Sequence, residues 1–115
     1  MSQTPIYEQI ENQIRQAILS GNLVAGQLMP SIRKMAKDLE VGIITVKRAY
    51  DDLCLEGLLI SIQGRGVFVA EIDSNREKEI RLEQLESKLK DVREFCDTSS
   101  ISIKEAKDTF DRIFK

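Results

Sequence analysis

The sequence predicts a mainly α fold with a small β-hairpin, in which a winged helix-turn-helix domain precedes a C-terminal helical hairpin. Two helical apolar patterns, over residues 32–39 and 46–53, are separated by a very short turn. Two β-rich runs follow directly, around the glycine-containing turn 64–66. After residue 70 the chain becomes rich in Glu, Lys, Arg and Leu. We therefore expect one domain over residues 1–70 and a helical tail over residues 71–115.

The first helix is predicted to begin near Thr4 and Pro5, because threonine can cap a helix and proline suits the first helical position. Its apolar stripe is expected to cover the two later helices, and Gly21 is expected to end it. The stripe consists of Ile6, Ile10, Ile14, Ala17 and Ile18. The segment 27–29 is compatible with a short additional strand.

The two helices of the helix-turn-helix carry separate apolar faces. Ser31 is the predicted cap of the first of them, and Gly42 is expected to provide the backbone that the tight turn requires. Gly57 stands where a helix-ending glycine is common. The first face contains Ile32, Met35, Ala36 and Leu39, and the second contains Val46, Ala49, Tyr50 and Leu53.

Five residues at the start of the second of these helices fall largely off its apolar face. They cluster on the first turns, which is the part of a recognition helix that approaches base edges. They are Ile43, Ile44, Thr45, Lys47 and Arg48. This pattern makes DNA binding the leading hypothesis.

The β-rich runs predict a hairpin, the wing of a winged helix. Leu58, Ile60 and Ile62 alternate with Leu59, Ser61 and Gln63, as in a half-buried strand, and 67–69 is the predicted partner strand. Gly64 and Gly66 permit a tight turn and leave Arg65 alone at the tip. An arginine in this position can follow a phosphate or enter a narrow minor groove.

The tail predicts two amphipathic helices, with capping boxes at Ser74–Glu77 and Ser102–Glu105 and a break over 97–100. Packing of their apolar faces back onto the winged domain is one interpretation. Dimerisation is the interpretation we favour, because DNA readers of this kind commonly pair two half-sites. The expected dimerisation residues are Leu82, Leu85, Leu89, Val92, Phe110, Ile113 and Phe114; Cys96, Ile103 and Ala106 extend the same two stripes.

Composition limits the alternatives. The 115 residues have a net charge of −2, so DNA affinity has to come from a local basic patch rather than from total charge. The chain lacks histidine, and its two cysteines, Cys54 and Cys96, are too widely spaced for a zinc site or a disulfide framework. We expect both to be buried small hydrophobes, and a redox switch is the alternative. We expect no metal, no cofactor and no catalysis, and, without an apolar span or a signal peptide, a cytoplasmic protein that does not enter a membrane.

Many residues agree in order with one bacterial family, and the chain resembles the DNA-binding domain of GntR-family transcription regulators. The matching positions begin at Pro5-Ile6-Tyr7 and continue to the wing. They include Leu28, Pro30-Ser31, Arg33, Ala36, Leu39, Val41, Thr45-Val46, Ala49-Tyr50, Leu53, Glu56-Gly57, Gly64-Arg65-Gly66 and Phe68-Val69. The short helical tail resembles the YtrA-like subfamily, in which a small tail serves dimerisation.

The resemblance implies DNA contacts at Arg33, at Thr45 and Lys47 on the recognition helix, and at the wing tip 64–66. The chain departs from the family pattern at Gly42, where the family usually has Ser, Thr or Asn, and at Ile43, which is often Arg or Pro. Ile43 cannot read guanine as an arginine would, but it can contact a thymine methyl group.

The sequence therefore predicts a sequence-specific DNA-binding regulator that acts as a dimeric repressor on a palindromic, double-stranded operator. The alternative is a winged-helix module that binds another protein and not DNA. Salt-dependent binding to duplex DNA separates the two. No residue pattern indicates a small-molecule effector, although the architecture is compatible with one.

Overall fold

The computed structural model describes residues 4–115, which form five helices and one two-stranded antiparallel sheet. The elements are α1 (Ile6–Leu19), α2 (Ile32–Leu39), α3 (Ile43–Leu55), β1 (Leu59–Ile62), β2 (Gly66–Val69), α4 (Ser74–Thr98) and α5 (Ile103–Ile113). The chain divides into two compact units, Met1–Glu77 and Lys78–Lys115. The predicted fold class is confirmed.

Helix α3 is the centre of the first unit and packs against α1, α2 and β1. Val46, Ala49, Tyr50 and Leu53 are at most 1% exposed, so the predicted buried face is confirmed. The Tyr50 hydroxyl donates a hydrogen bond of 2.7 Å to the carbonyl oxygen of Pro30. Burial raises the pKa of Tyr50 to about 12. This bond ties α3 to the segment that leads into α2.

The turn between α2 and α3 is made by a different residue from the one we predicted. Ser31 caps α2 as expected, accepting a hydrogen bond of 3.1 Å from the backbone of Lys34. Gly42, however, has φ −70° and ψ 149°, a conformation open to any residue. The left-handed residue is Glu40, with φ 57°. It allows the Val41 N–H to donate to the Ala36 carbonyl oxygen at 3.0 Å, which closes α2.

Two other helix starts also differ from the prediction. Pro5 lies before α1, with ψ 151°, and no side chain caps this helix, so Thr4 is not its cap. Helix α4 already includes Ser74, and the carboxylate of Asp73 accepts from the backbone of Arg76 at 2.8 Å. The cap of α4 is therefore Asp73 rather than Ser74. The capping box of Ser102 and Glu105 at α5 is confirmed.

The hairpin pairs Leu59 with Val69 and Ile62 with Gly66. The predicted half-buried alternation over residues 58–63 is wrong, because Ile60 and Ile62 are 49% and 41% exposed whereas Leu59 is 1% exposed. Leu58 is buried, but its N–H closes the end of α3 on the Leu53 carbonyl oxygen, so the strand begins one residue later. Of the four residues of β1, only Leu59 is buried.

The short strand expected at 27–29 is present as a single β-bridge between Leu28 and Phe68. Gly66 has φ 119°, and a Cβ atom there would lie 3.2 Å from a side-chain carbon of Leu28. The positive φ is what favours glycine at position 66, whereas a Cβ atom there would require only a small shift of the exposed Leu28 side chain.

The second unit exposes its apolar stripes. Helix α4 ends at Thr98, and Ser100 adopts a positive φ of 57° in the turn before α5. An open groove of about 550 Å³ lies between the two helices, lined in part by Leu89, Val92 and Phe110.

The two cysteines differ from the prediction. Cys54 in α3 and Cys96 in α4 are only partly buried, contrary to the expectation of full burial, and both are free thiols.

Candidate nucleic-acid interface

Helix α3 turns its buried face inward and presents its opposite side to solvent. Ile43 is 49% exposed and Ile44 is 84% exposed, while Lys47 and Arg48 are exposed as well. Thr45 is half-buried at the edge of this surface. The residues of α3 that the sequence assigned to DNA contact therefore lie together on the first turns of this helix, with Thr45 at the edge of the surface.

The two basic side chains of this surface are held by acidic residues one turn later. Lys47 Nζ lies 2.6 Å from a carboxylate oxygen of Asp51, and Arg48 Nε lies 3.9 Å from one of Asp52. Both side chains of the Lys47 pair are more than half exposed. Exposed ion pairs of this kind contribute little and weaken with salt, so a phosphate group can replace the carboxylate at little cost.

Arg48 also contacts α1, an interaction that sequence reasoning missed. Its guanidinium carbon lies 3.8 Å from the centre of the Tyr7 ring, in a cation–π arrangement. The side chain of Arg48 is thereby held against both its own helix and the first helix. The only signal in the sequence was the match of Tyr7 to the family pattern, because periodicity does not predict contacts between helices.

Helix α2 contributes a second basic group. Arg33 is the second residue of α2, and it is exposed with no ion pair to any described residue. Lys34, its neighbour, is paired with Asp38 at 3.0 Å. At the start of α2, Arg33 can therefore contact a phosphate or a base directly, whereas Lys34 would first have to leave Asp38.

The wing tip presents Arg65 between two glycines in left-handed conformations, with φ 78° at Gly64 and 119° at Gly66. The backbone N–H of Arg65 donates to the Ile62 carbonyl oxygen at 2.9 Å, which closes the turn. All three residues are exposed, and within residues 4–115 the Arg65 side chain has no ion-pair partner. The geometry leaves this guanidinium free to reach a ligand.

A network of charged residues joins α1 to the end of α3, and the sequence did not reveal it. Arg15 makes two hydrogen bonds to Glu56, of 2.6 and 3.1 Å, and one of 3.2 Å to Glu11. Glu11 is 5% exposed. Burial raises the pKa of its carboxyl to about 7, and the neighbouring Asp52 raises it further than burial alone would. This network fixes α1 against the end of α3.

Two classes of function find no support in the part of the chain that the structure describes. No group of three or more His, Cys, Asp or Glu side chains is arranged to hold a metal ion. No described helix has the length and apolar character needed to cross a membrane.

The second unit offers a surface of a different kind. Its predicted dimerisation residues are each between 46% and 69% exposed, namely Leu82, Leu85, Leu89, Val92, Phe110, Ile113 and Phe114. The rings of Phe110 and Phe114 stack with their centres 4.4 Å apart. Large contiguous apolar surfaces are uncommon on monomeric proteins and usually mark an interaction site.

Comparison with solved structures supports the same fold. A GntR-family transcriptional regulator from Listeria monocytogenes superposes with a TM-score of 0.74 at 24% identity, over 97% of each chain. The DNA-binding domain of AraR in complex with operator ORR3 superposes with a TM-score of 0.57 at 33% identity, over 60% of this chain and 83% of that one.

Comparison with known sequences identifies the family. The chain is 33% identical over 91 residues to the transcriptional repressor YtrA of Bacillus subtilis, covering 79% of this chain and 70% of that protein. It spans only 13% to 30% of six longer relatives. Residues 6–69 match the model of the bacterial regulatory proteins of the gntR family. The chain therefore belongs to the GntR family of bacterial regulatory proteins.

Proposed function

We propose that this DNA-binding transcriptional regulator acts as a dimeric repressor on a palindromic operator. The observation that carries the proposal is the outward surface of α3, where exposed aliphatic and basic side chains occupy the first turns of a recognition helix. Occupation of a promoter by two such helices would block transcription without any catalytic step. The protein is accordingly proposed not to be an enzyme, and to act in the cytoplasm.

The proposed DNA-binding residues have distinct roles. Lys47 and Arg33 lie where a basic side chain can reach either a guanine edge or a phosphate, and Arg48 is directed by Tyr7 and Asp52. Arg65 at the wing tip follows a phosphate or enters the minor groove. The complete set comprises Arg33, Ile43, Thr45, Lys47, Arg48, Gly64, Arg65 and Gly66, all within the proposed DNA-binding domain of residues 1–70.

Dimerisation is proposed for the tail, residues 71–115. Two observations support it: the apolar stripes of α4 and α5 are about half exposed, and the groove between these helices is open. A second copy of the chain supplies a matching apolar surface, since a two-fold interface uses the same residues on both partners. Two copies then place two recognition helices on two half-sites, which accounts for a palindromic operator.

The decisive experiment is selection of bound duplexes from a random DNA pool with the full chain. An inverted repeat with constant spacing is the expected result, and binding should weaken steeply with salt. Enrichment of single half-sites would contradict the dimeric arrangement. Absence of any salt-dependent duplex binding would instead support the alternative, a winged module that binds protein.

The same selection, repeated with cell metabolites present, tests for a small-molecule effector. No cluster of the described residues indicates such an effector.

A further inference from the structure

Ile44 is the most exposed large apolar side chain on the first turns of α3. It is 84% exposed, against 49% for the adjacent Ile43. At 3.6 residues per turn, Ile44 lies almost opposite the centre of the buried face formed by Val46, Ala49, Tyr50 and Leu53, whereas Ile43 lies beside that face. The sequence suggested Ile43 as the residue that contacts a thymine methyl group, but the structure places Ile44 further outward.

The chemistry of this side chain limits what it can recognise. Isoleucine has no hydrogen-bond donor or acceptor, so it cannot distinguish bases by their polar edges. The thymine methyl group is the apolar feature that the major groove presents. Isoleucine is also branched at Cβ, and in a helix such a side chain is held mainly in one rotamer. Its shape is therefore set before binding, and ordering it costs little.

We propose that Ile44 is a specificity-determining residue that recognises a thymine methyl group at one position of each operator half-site. This inference rests on the proposed function, because it requires α3 to enter the major groove. It identifies one residue that reads the operator and the base that this residue recognises. Ile43, beside it on the first turn, extends the same apolar surface, while Lys47 and Arg48 are engaged with Asp51 and Asp52 in the free protein.

A matched control lies on the same helix. Leu55 is 87% exposed and also aliphatic, but it is the last residue of α3. Eleven residues of helix separate it from Ile44, which is roughly 16 Å at 1.5 Å per residue. The two side chains cannot contact the same base. Leu55 therefore serves as a control for an exposed aliphatic side chain that lies away from the first turn.

The experiment replaces each thymine of the selected operator by uracil, which removes only the methyl group. The wild-type protein should lose affinity about three- to fivefold at one position of each half-site, as expected when one methyl group is no longer buried. Ile44→Ala should bind the unmodified operator more weakly by a similar factor and should be indifferent to uracil at that position. Leu55→Ala should keep the wild-type sensitivity there.

Two results overturn the inference. Wild-type binding that tolerates uracil at every thymine would show that no methyl group is read. Equal sensitivity of Ile44→Ala and the wild type would show that another residue reads it. Either result leaves the proposed operator intact, because the selection itself has already defined a preferred sequence. Failure of the selection to yield any preferred sequence would overturn the proposed function, and the role of Ile44 with it.

Discussion

The guanidinium of Arg48 lies over the ring of Tyr7, with 3.8 Å between the guanidinium carbon and the ring centre. The contact joins the first helix of the chain to the outward face of α3. Arg48 Nε is also 3.9 Å from a carboxylate oxygen of Asp52. A long flexible side chain is thus restrained at two points before any DNA is present. The first helix therefore supports the proposed DNA surface as well as covering the core.

Tyr7→Leu should reduce operator affinity about two- to fivefold, since an exposed cation–π contact contributes on the order of 0.5–1 kcal/mol. Tyr7→Phe retains the aromatic ring and should bind almost as tightly as the wild type. The measurement is a double-mutant cycle with Arg48→Ala, read as DNA affinity at fixed salt. Equal effects of Tyr7→Leu with and without Arg48 would show that this cation–π pair does not serve binding.

Arg65→Ala should weaken binding to the selected operator and lower the salt slope by roughly one unit for each phosphate that the wing no longer neutralises. A phosphate contact carries no base information, so binding to unrelated duplexes should weaken by a similar factor. If Arg65 enters the minor groove, the preference for A·T pairs beside the half-site should fall instead. Lys90→Ala, which makes the same charge change in the tail, is the control. Unchanged affinity of the Arg65 variant would remove the wing from the interface.

Lys47→Ala and Arg33→Ala should each weaken operator binding without unfolding the protein. Both side chains are exposed, and exposed substitutions usually change the free energy of unfolding by less than about 0.5 kcal/mol. Removal of a bidentate bond to guanine would reduce discrimination at one base pair by roughly 1–3 kcal/mol. Thermal melts followed by circular dichroism test the fold. A large fall in melting temperature would identify a structural ion pair in place of a DNA contact.

Leu89→Lys should shift the full chain from dimer toward monomer. A lysine in this 46% exposed position would place a charge within the proposed apolar interface, where desolvating it is costly. Sedimentation at micromolar concentration measures the change, with Asp91→Lys as a control that adds a lysine to α4 outside the apolar stripe. A wild-type chain that sediments as a monomer would contradict tail-mediated dimerisation.

Glu11→Gln should abolish a pH dependence of stability between about pH 4.5 and 7. The pKa of Glu11 is raised from 4.5 to about 7 by burial and by Asp52. The unfolded chain therefore releases this proton at lower pH than the folded chain does. The protonated carboxyl of Glu11 therefore contributes to the free energy of unfolding in full below about pH 4.5, and this contribution is lost as the pH rises through 7. Chemical denaturation at several pH values should show this decline in the wild type and a flatter profile in the variant.

Stability that rises between pH 4.5 and 7 in the wild type relative to Glu11→Gln would contradict the raised pKa of Glu11. The variant is a conservative one, because glutamine has almost the same shape and its amide oxygen can still accept from Arg15. Its fold can be checked independently through the melting temperature at low pH, where both proteins carry an uncharged side chain at position 11.

Features set by neighbouring residues could be predicted from the sequence. The Ser31 cap and the capping box of Ser102 and Glu105 depend on residues three positions apart, and both are present as expected. The buried face of α3 was also correct, because four apolar residues at helical spacing can be covered only from one side. The resemblance to the family also predicted the position of the β-hairpin and of the two glycines in its turn.

Three other features could not be predicted from the spacing of residue types. Glu40 rather than Gly42 adopts the left-handed conformation, because α2 ends by closing on the Ala36 carbonyl oxygen. The alternation expected over residues 58–63 is absent, because the backbone of Leu58 closes the end of α3 and only Leu59 of β1 is buried. Periodicity gave no sign that Tyr7 would meet Arg48, because neighbouring helix faces are brought together only by packing.

The sequence by itself therefore determined the order of the elements, the buried face of the recognition helix and the family. Each follows from local spacing or from an ordered set of matching residues. Only the tertiary structure decided that Ile44 faces outward more than Ile43, that Arg48 is held by α1 and that Glu11 is buried beside Asp52. The physical reason is that exposure, ion pairing and pKa depend on which surfaces become neighbours, and those surfaces are separated along the chain.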